Sequence, residues 1–158
     1  HKAKNPKVVY HTAYLKNKNG GGDAALVDYN YGSNWTIDSL WQGFQSPNVE
    51  FDLVFEEAIE VKSVRMNFLQ VAISGIYMPE EITILGAEDA NTFKELGNLS
   101  LKEPAMVQGR YIQRTKIDLP KIKVKTLKIQ LKSVNPIYPG HHRQGEQSKL
   151  YLDEVVVE

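Results

Sequence analysis

Cysteine is absent from the 158-residue chain, which rules out both a disulfide framework and a thiolate metal site. An excess of either charge is absent as well, since 19 Lys and Arg balance 19 Asp and Glu and neither sign gathers into a long block. Proteins that track nucleic-acid phosphates carry a basic surplus, so no nucleic-acid partner is expected. No run of 18 apolar residues occurs, and membrane insertion by a helix is not expected. The chain opens on His1 rather than Met and shows no signal peptide, as an excised or processed piece of a longer protein would.

The marks of catalysis are missing too. There is no nucleophile elbow, phosphate loop or His-Glu-x-x-His pattern. A glycoside hydrolase needs two carboxylates held about 5–10 Å apart across a sugar. The adjacent pairs Glu56–Glu57, Glu80–Glu81 and Asp153–Glu154 are poor candidates, because successive side chains on a strand point to opposite faces. His141 and His142 are loop neighbours without an evident third ligand. The chain reads as non-catalytic.

What is present is a hydrophobic pattern of period two. Residues 49–55 (VEFDLVF) place Val49, Phe51, Leu53 and Phe55 on one face and Glu50 and Asp52 on the other, as in a half-buried strand. Segments 61–69, 82–86, 111–119, 126–134 and 149–157 alternate in the same way. The lysines from Lys121 to Lys132 interleave with Ile122, Val124, Leu127, Ile129 and Leu131, and read as the solvent face of such a strand. Turn clusters separate the strands at 19–23, 88–91 and 135–140. Residues 89–97 offer only Phe93 and Leu96, too little for a helical stripe. These features predict one all-β domain over 1–158, a β-sandwich jelly roll of about eight strands. Its core is expected to include Phe51, Leu53, Phe55, Val64, Met66, Leu127, Ile129, Leu131 and Val156.

Three stretches carry a family likeness: 21–44 (GGDAALVDYNYGSNWTIDSLWQGF), 64–84 (VRMNFLQVAISGIYMPEEITI) and 141–158 (HHRQGEQSKLYLDEVVVE). Asp28, Gly32 and Ser33, Trp41 to Phe44, Phe68 to Gln70, Pro79, His142, Asp153 and Glu154 match the pattern in order. The chain thereby resembles the discoidin-like, coagulation-factor type C domain, of galactose-binding-like fold, as found at the C-terminus of bacterial β-N-acetylhexosaminidases (chitobiases). It departs from that pattern at Tyr29, where Gly is usual, and at Gly75 and His141, where the family tends to carry Trp.

The resemblance implies a carbohydrate-binding accessory module of a secreted, periplasmic or cell-surface bacterial glycoside hydrolase, with the parent's catalytic domain as neighbour. In this family a turn Asp, nearby backbone carbonyls, a Ser or Thr and a last-strand Glu hold structural calcium. The corresponding positions are Asp28, Asn30, Ser33 and Glu154, with Ala25 as a carbonyl donor. Asp28 and Ser33 also suit simple turn capping. Sugar contacts in related modules come from three loops, here 31–41, 70–77 and 138–147. Trp35, Gln70, Tyr77, His142 and Arg143 are the candidate readers of a galactose- or N-acetylhexosamine-type glycan. With two family aromatics missing, binding is expected to be weak. Trp41 and Phe44 read better as core, and the HHR run is equally compatible with a solvated loop. A structural accessory domain that binds no sugar is the alternative function.

Overall fold

A computed structural model describes residues 5–16, 22–33, 40–89, 91–101 and 108–158. Among them run seven antiparallel strands: β1 (Lys7–Tyr10), β2 (Gln42–Phe44), β3 (Asn48–Val71), β4 (Glu81–Ala87), β5 (Lys94–Ser100), β6 (Arg110–Lys132) and β7 (Leu150–Val157). Two short 3-10 turns, Gly22–Val27 and Ala72–Ser74, are the helical content of the described residues.

The count falls below eight because segments expected as separate strands are continuous. Residues 49–55 and 61–69 both lie in β3, and 111–119 and 126–134 both lie in β6. These two strands pair along nearly their whole length, with register breaks between Val54 and Ile59 and between Val61 and Ser63. Pro120 lies in the second break, where a residue without an N–H costs no ladder bond. At these bends the sheet folds over itself into two layers. The first halves of β3 and the second half of β6 pair with β1 and with β4, which carries β5. The second half of β3 and the first half of β6 form the other layer, together with β7 and β2. Phe51 and Leu53 from one half of β3 and Val64, Met66 and Phe68 from the other share a single buried cluster, as two facing layers require.

The expected core residues are all buried. Val156 is the exception in direction, since it lies outside the central cluster while Val155 and Val157 lie within it. A β-bulge is the reason. Between the β3–β7 pairs Met66↔Val155 and Phe68↔Leu152, two β7 residues, Asp153 and Glu154, oppose Asn67 alone. One extra residue flips the inside–outside alternation, so Leu150 and Leu152 point inward before it and Val155 and Val157 after it. A second buried cluster of Trp41, Leu69, Val71, Ile76 and Tyr151 forms on the outer side of β3 and β7. The lysines of 121–132 face outward and Val124, Leu127, Ile129 and Leu131 inward, as their alternation predicts.

Candidate functional site

The segments 70–77 and 138–147 meet at one end of the sandwich. Gly75, at φ +70, caps the 3-10 turn with a left-handed backbone conformation. A Cβ there would crowd Cδ1 of Ile137 at 3.0 Å and touch Cδ of Arg143 at 3.5 Å, so the Arg143 stem packs beside the glycine. The Arg143 N–H donates to Nδ1 of His141 at 2.9 Å. That nitrogen is therefore an acceptor, and the ring proton sits on Nε2, which donates to the Ala72 carbonyl at 2.7 Å. His141 thus ties one loop to the other. Its imidazole packs edge-on against Tyr77 and Tyr138, and its other side stacks on His142 at 4.5 Å. Gly140 and Gly145, both at positive φ, turn the loop tightly, and the Gly145 and Ile137 N–H groups bond within it.

His142 and Arg143 are exposed on the outside of this braced loop, where Arg143 lies 3.7 Å from Glu146. Gln70 and Tyr77 are placed differently. Gln70 is fully buried and its side-chain carbonyl accepts the Met78 N–H at 2.8 Å. Tyr77 is buried with Ala72, Val134 and Ile137, and burial pushes its phenol above the ordinary tyrosine range. Both support the loops from beneath and offer no surface to a ligand. Tyr77 is flanked by Ile76 and Met78, an apolar setting already visible in the sequence. Trp35 lies outside the described residues. Trp41 is fully buried and its indole N–H donates to the Ser33 carbonyl at 2.9 Å.

The expected calcium ligands lie nearby on the outer side of β7. Ala25 is buried in the first 3-10 turn, Asp28 is half-buried, Asn30 is exposed and Ser33 is half-buried. Asp28 accepts the Asn30 N–H at 2.9 Å, the local turn bond that its residue type favours. Tyr29 takes the left-handed conformation usual for glycine, at φ 64, and its N–H donates to Glu154 at 2.9 Å. The loop is therefore fastened to the last strand through Glu154, which is 1% exposed.

Asp153 is the residue that sequence reasoning passed over. The bulge brings it under the same loop as Glu154, where strict alternation would have sent the two apart. Its Oδ2 accepts the Gly32 N–H at 3.1 Å, while Oδ1 is buried without a hydrogen-bond partner. Burial pushes the Asp153 carboxyl up to about 6, against the lowering effect of N–H donors from Gly32 and Glu154. An Asp–Glu pair inside the otherwise apolar LYLDEVVV strand was the available signal. Two buried carboxylates beside a turn aspartate suit a hard cation that prefers oxygen ligands. Among the described residues, no three His, Asp or Glu side chains converge closely enough to hold a metal by themselves. A calcium ion there would draw on backbone carbonyls.

No family model matches the chain, and no curated protein matches it in sequence. Solved structures do share its fold. The CBM32 of AlyQ, in complex with 4,5-unsaturated mannuronic acid, aligns with a TM-score of 0.61 at 11% identity over 100% of this chain and 98% of that one. CpGH89CBM32-5 from Clostridium perfringens, bound to GalNAc-β-1,3-galactose, aligns at 0.60 and 12% over 97% and 94%. The Ruminococcus gnavus GH29 fucosidase, in complex with fucose, aligns at 0.58 and 13%, with 99% of this chain covering 25% of the enzyme. The chain has the discoidin-type, galactose-binding-like β-sandwich fold of CBM32 modules, as its motifs implied.

Proposed function

We propose that the chain is a non-catalytic glycan-binding module of a secreted bacterial glycoside hydrolase of the β-N-acetylhexosaminidase type. Sugar is read at the loop end by His142 and Arg143, above a floor braced by Gln70 and Tyr77, with Trp35, by its place in the sequence, as the candidate stacking residue. The observation that carries this reading is the fixed loop: His141, bonded on both ring nitrogens, holds exposed His142 and Arg143 in place against 72–77. Preorganised polar groups lose less entropy on binding a hydroxyl-rich ligand, and a guanidinium offers forked donors for vicinal oxygens. Support also comes from fold neighbours solved with GalNAc-β-1,3-galactose or as part of a fucosidase. Few solvent-competed hydrogen bonds leave an expected Kd nearer about 1 mM than 1 μM, or about −4 to −6 kcal/mol.

The test is an amide-shift titration with galactose, N-acetylglucosamine and N-acetylgalactosamine, preceded by a glycan array. Shifts at 140–146 and 72–76, lost in Arg143→Ala without a change in melting temperature, are expected. Silence across the array would favour an accessory domain that only packs on a catalytic neighbour. The exposed large apolar side chains among the described residues, Tyr29, Tyr31 and Ile73, give little support to that alternative.

Calcium is part of the same proposal. Asp28, Asn30, Ser33 and Glu154, with the Ala25 carbonyl, would hold one structural ion that fastens the loop to β7. Binding only to the folded state raises stability by mass action. Added calcium is expected to raise the melting temperature and chelator to lower it; no response to either removes the ion from this reading.

A further inference from the structure

The outer side of the β3–β6–β7 layer carries, besides the covered Trp41 end, an open groove of about 420 Å³. Tyr31, Arg65, Asn67, Arg114, Lys116 and Glu154 line it. In a chain without net charge, three cations meet on this one face. Arg65 and Lys116 are direct cross-strand partners, and Arg114 is one outward position further along β6, opposite Asn67. Like charges directly opposite on a sheet repel. Their neutralisation is slight: Arg65 reaches the half-buried Glu158 at 3.7 Å and Lys116 reaches Asp118 at 3.5 Å, with Arg65, Lys116 and Asp118 well exposed. Arg114 has no ion pair with any described residue. Glu154 is the opposing charge, but it is buried and one carboxylate oxygen takes the Tyr29 N–H. Tyr31, 48% exposed, stands at the edge of the groove beside these cations.

From this arrangement we infer a second carbohydrate site, on the sheet face rather than at the loop end, for an acidic glycan bearing carboxylate or sulfate groups. Arg65 and Arg114 supply planar forks matched to such oxyanions, and Lys116 a point charge beside them, while the Asn67 side chain is engaged by Asp153. The Tyr31 ring offers an apolar surface to the C–H face of a sugar ring. A ligand spaced as a chain of acidic sugars supplies an anion to Arg114 and relieves the repulsion between Arg65 and Lys116, whose partners Glu158 and Asp118 it can displace. The site does not depend on the loop-end reading, since none of its residues is among the sugar readers there; Glu154 alone is shared, with the proposed calcium site.

The experiment is an amide-shift and calorimetric titration of the whole chain with oligomannuronate, oligogalacturonate and sulfated galactan oligomers. The carboxyl-reduced uronate oligomers and the desulfated galactan serve as neutral counterparts. Shifts at residues 31, 65–67, 114–116 and 156 with an acidic oligomer, and none there with the neutral one, are expected. Arg65→Gln and Arg114→Gln should each weaken binding about tenfold or more, as loss of a charged hydrogen-bond partner does. Lys121→Gln, at the strand bend, should leave it unchanged. All these positions are exposed, and unaltered melting curves will show that the variants fold. Equal weakening by Lys121→Gln, equal affinity for a single-stranded oligonucleotide, a response reproduced by inorganic sulfate alone, or no shifts on this face would each overturn the inference. Shifts at 140–146 with neutral sugars report separately on the loop-end site, so either can fail alone.

Discussion

The two outer faces of the sandwich treat charge in opposite ways. On the face built by β1, the first half of β3 and the second half of β6, opposite charges find one another: Lys128 meets Glu50 at 3.3 Å and Gln130 donates to the same carboxylate at 3.1 Å. Lys132 reaches Glu80 at 3.7 Å and His11 reaches Asp52 at 3.0 Å. Lys128 is also held over the Phe93 ring at 4.4 Å. On the face built by β3, β6 and β7, cation opposes cation, and two carboxylates sit adjacent and buried in a bulge. The first face is completed by its own strands. The second pairs Arg65 with Glu158 and Lys116 with Asp118 but sets those two cations opposite each other, and Arg114 beside them has no ion pair with any described residue.

The largest expected effect tests whether the covered end of the second face is a core in its own right. Trp41→Ala removes the largest side chain of that cluster and its bond to Ser33, and should cost about 3–5 kcal/mol in urea unfolding. A cost under 1 kcal/mol would reduce the cluster to a loosely laid flap.

Next comes the sign of the pH dependence. Asp153 titrates at about 6 in the folded protein, against about 3.9 in an unfolded chain. Between these values the folded state holds the proton more tightly. Metal-free protein should therefore gain stability through this group as pH falls from about 7 to about 4, on the order of 2–3 kcal/mol. Asp153→Asn should remove the dependence and be more stable at pH 7. Urea midpoints measured with chelator across that range decide it.

Glu50 should behave in the reverse sense and more weakly. Burial alone would raise its carboxyl, but the Gln130 and Lys128 hydrogen bonds more than offset that and hold it below its ordinary value. Its stabilisation is present above the unfolded-chain value and lost as pH falls through the lower folded one. Glu50→Gln should cost no more than about 1 kcal/mol at pH 7. Equal pH slopes in the Glu50→Gln and Asp153→Asn variants would erase the contrast between the faces.

The core strands were legible because period-two alternation is a local property, and Phe51, Leu53, Met66 and Ile129 need only their neighbours in sequence to be assigned. The direction of Val156 was not, because the bulge that reverses it depends on how β7 registers against β3. For the same reason Asp153 was set aside on an alternation rule that holds only in an unbroken strand. β1, β2 and β5 escaped notice since they are short or weakly apolar. At the loop end, residue types drew attention to His142 and Arg143. Burial separated Gln70 and Tyr77 from them, and burial is a tertiary fact.

The length of the β3–β6 ladder also sets an order on folding. Its pair Val71↔Arg110 closes about half as much chain as Asn48↔Lys132 at the other end. Each doubling of a closed loop costs only about 0.6 kcal/mol, yet that cost falls before any contact repays it. Zipping should therefore start at Val71 and Arg110 and run toward the bends, which must form before the first halves of the sheet can pair. A ladder joining residues so far apart in sequence belongs with the slow folders, on the order of milliseconds to seconds.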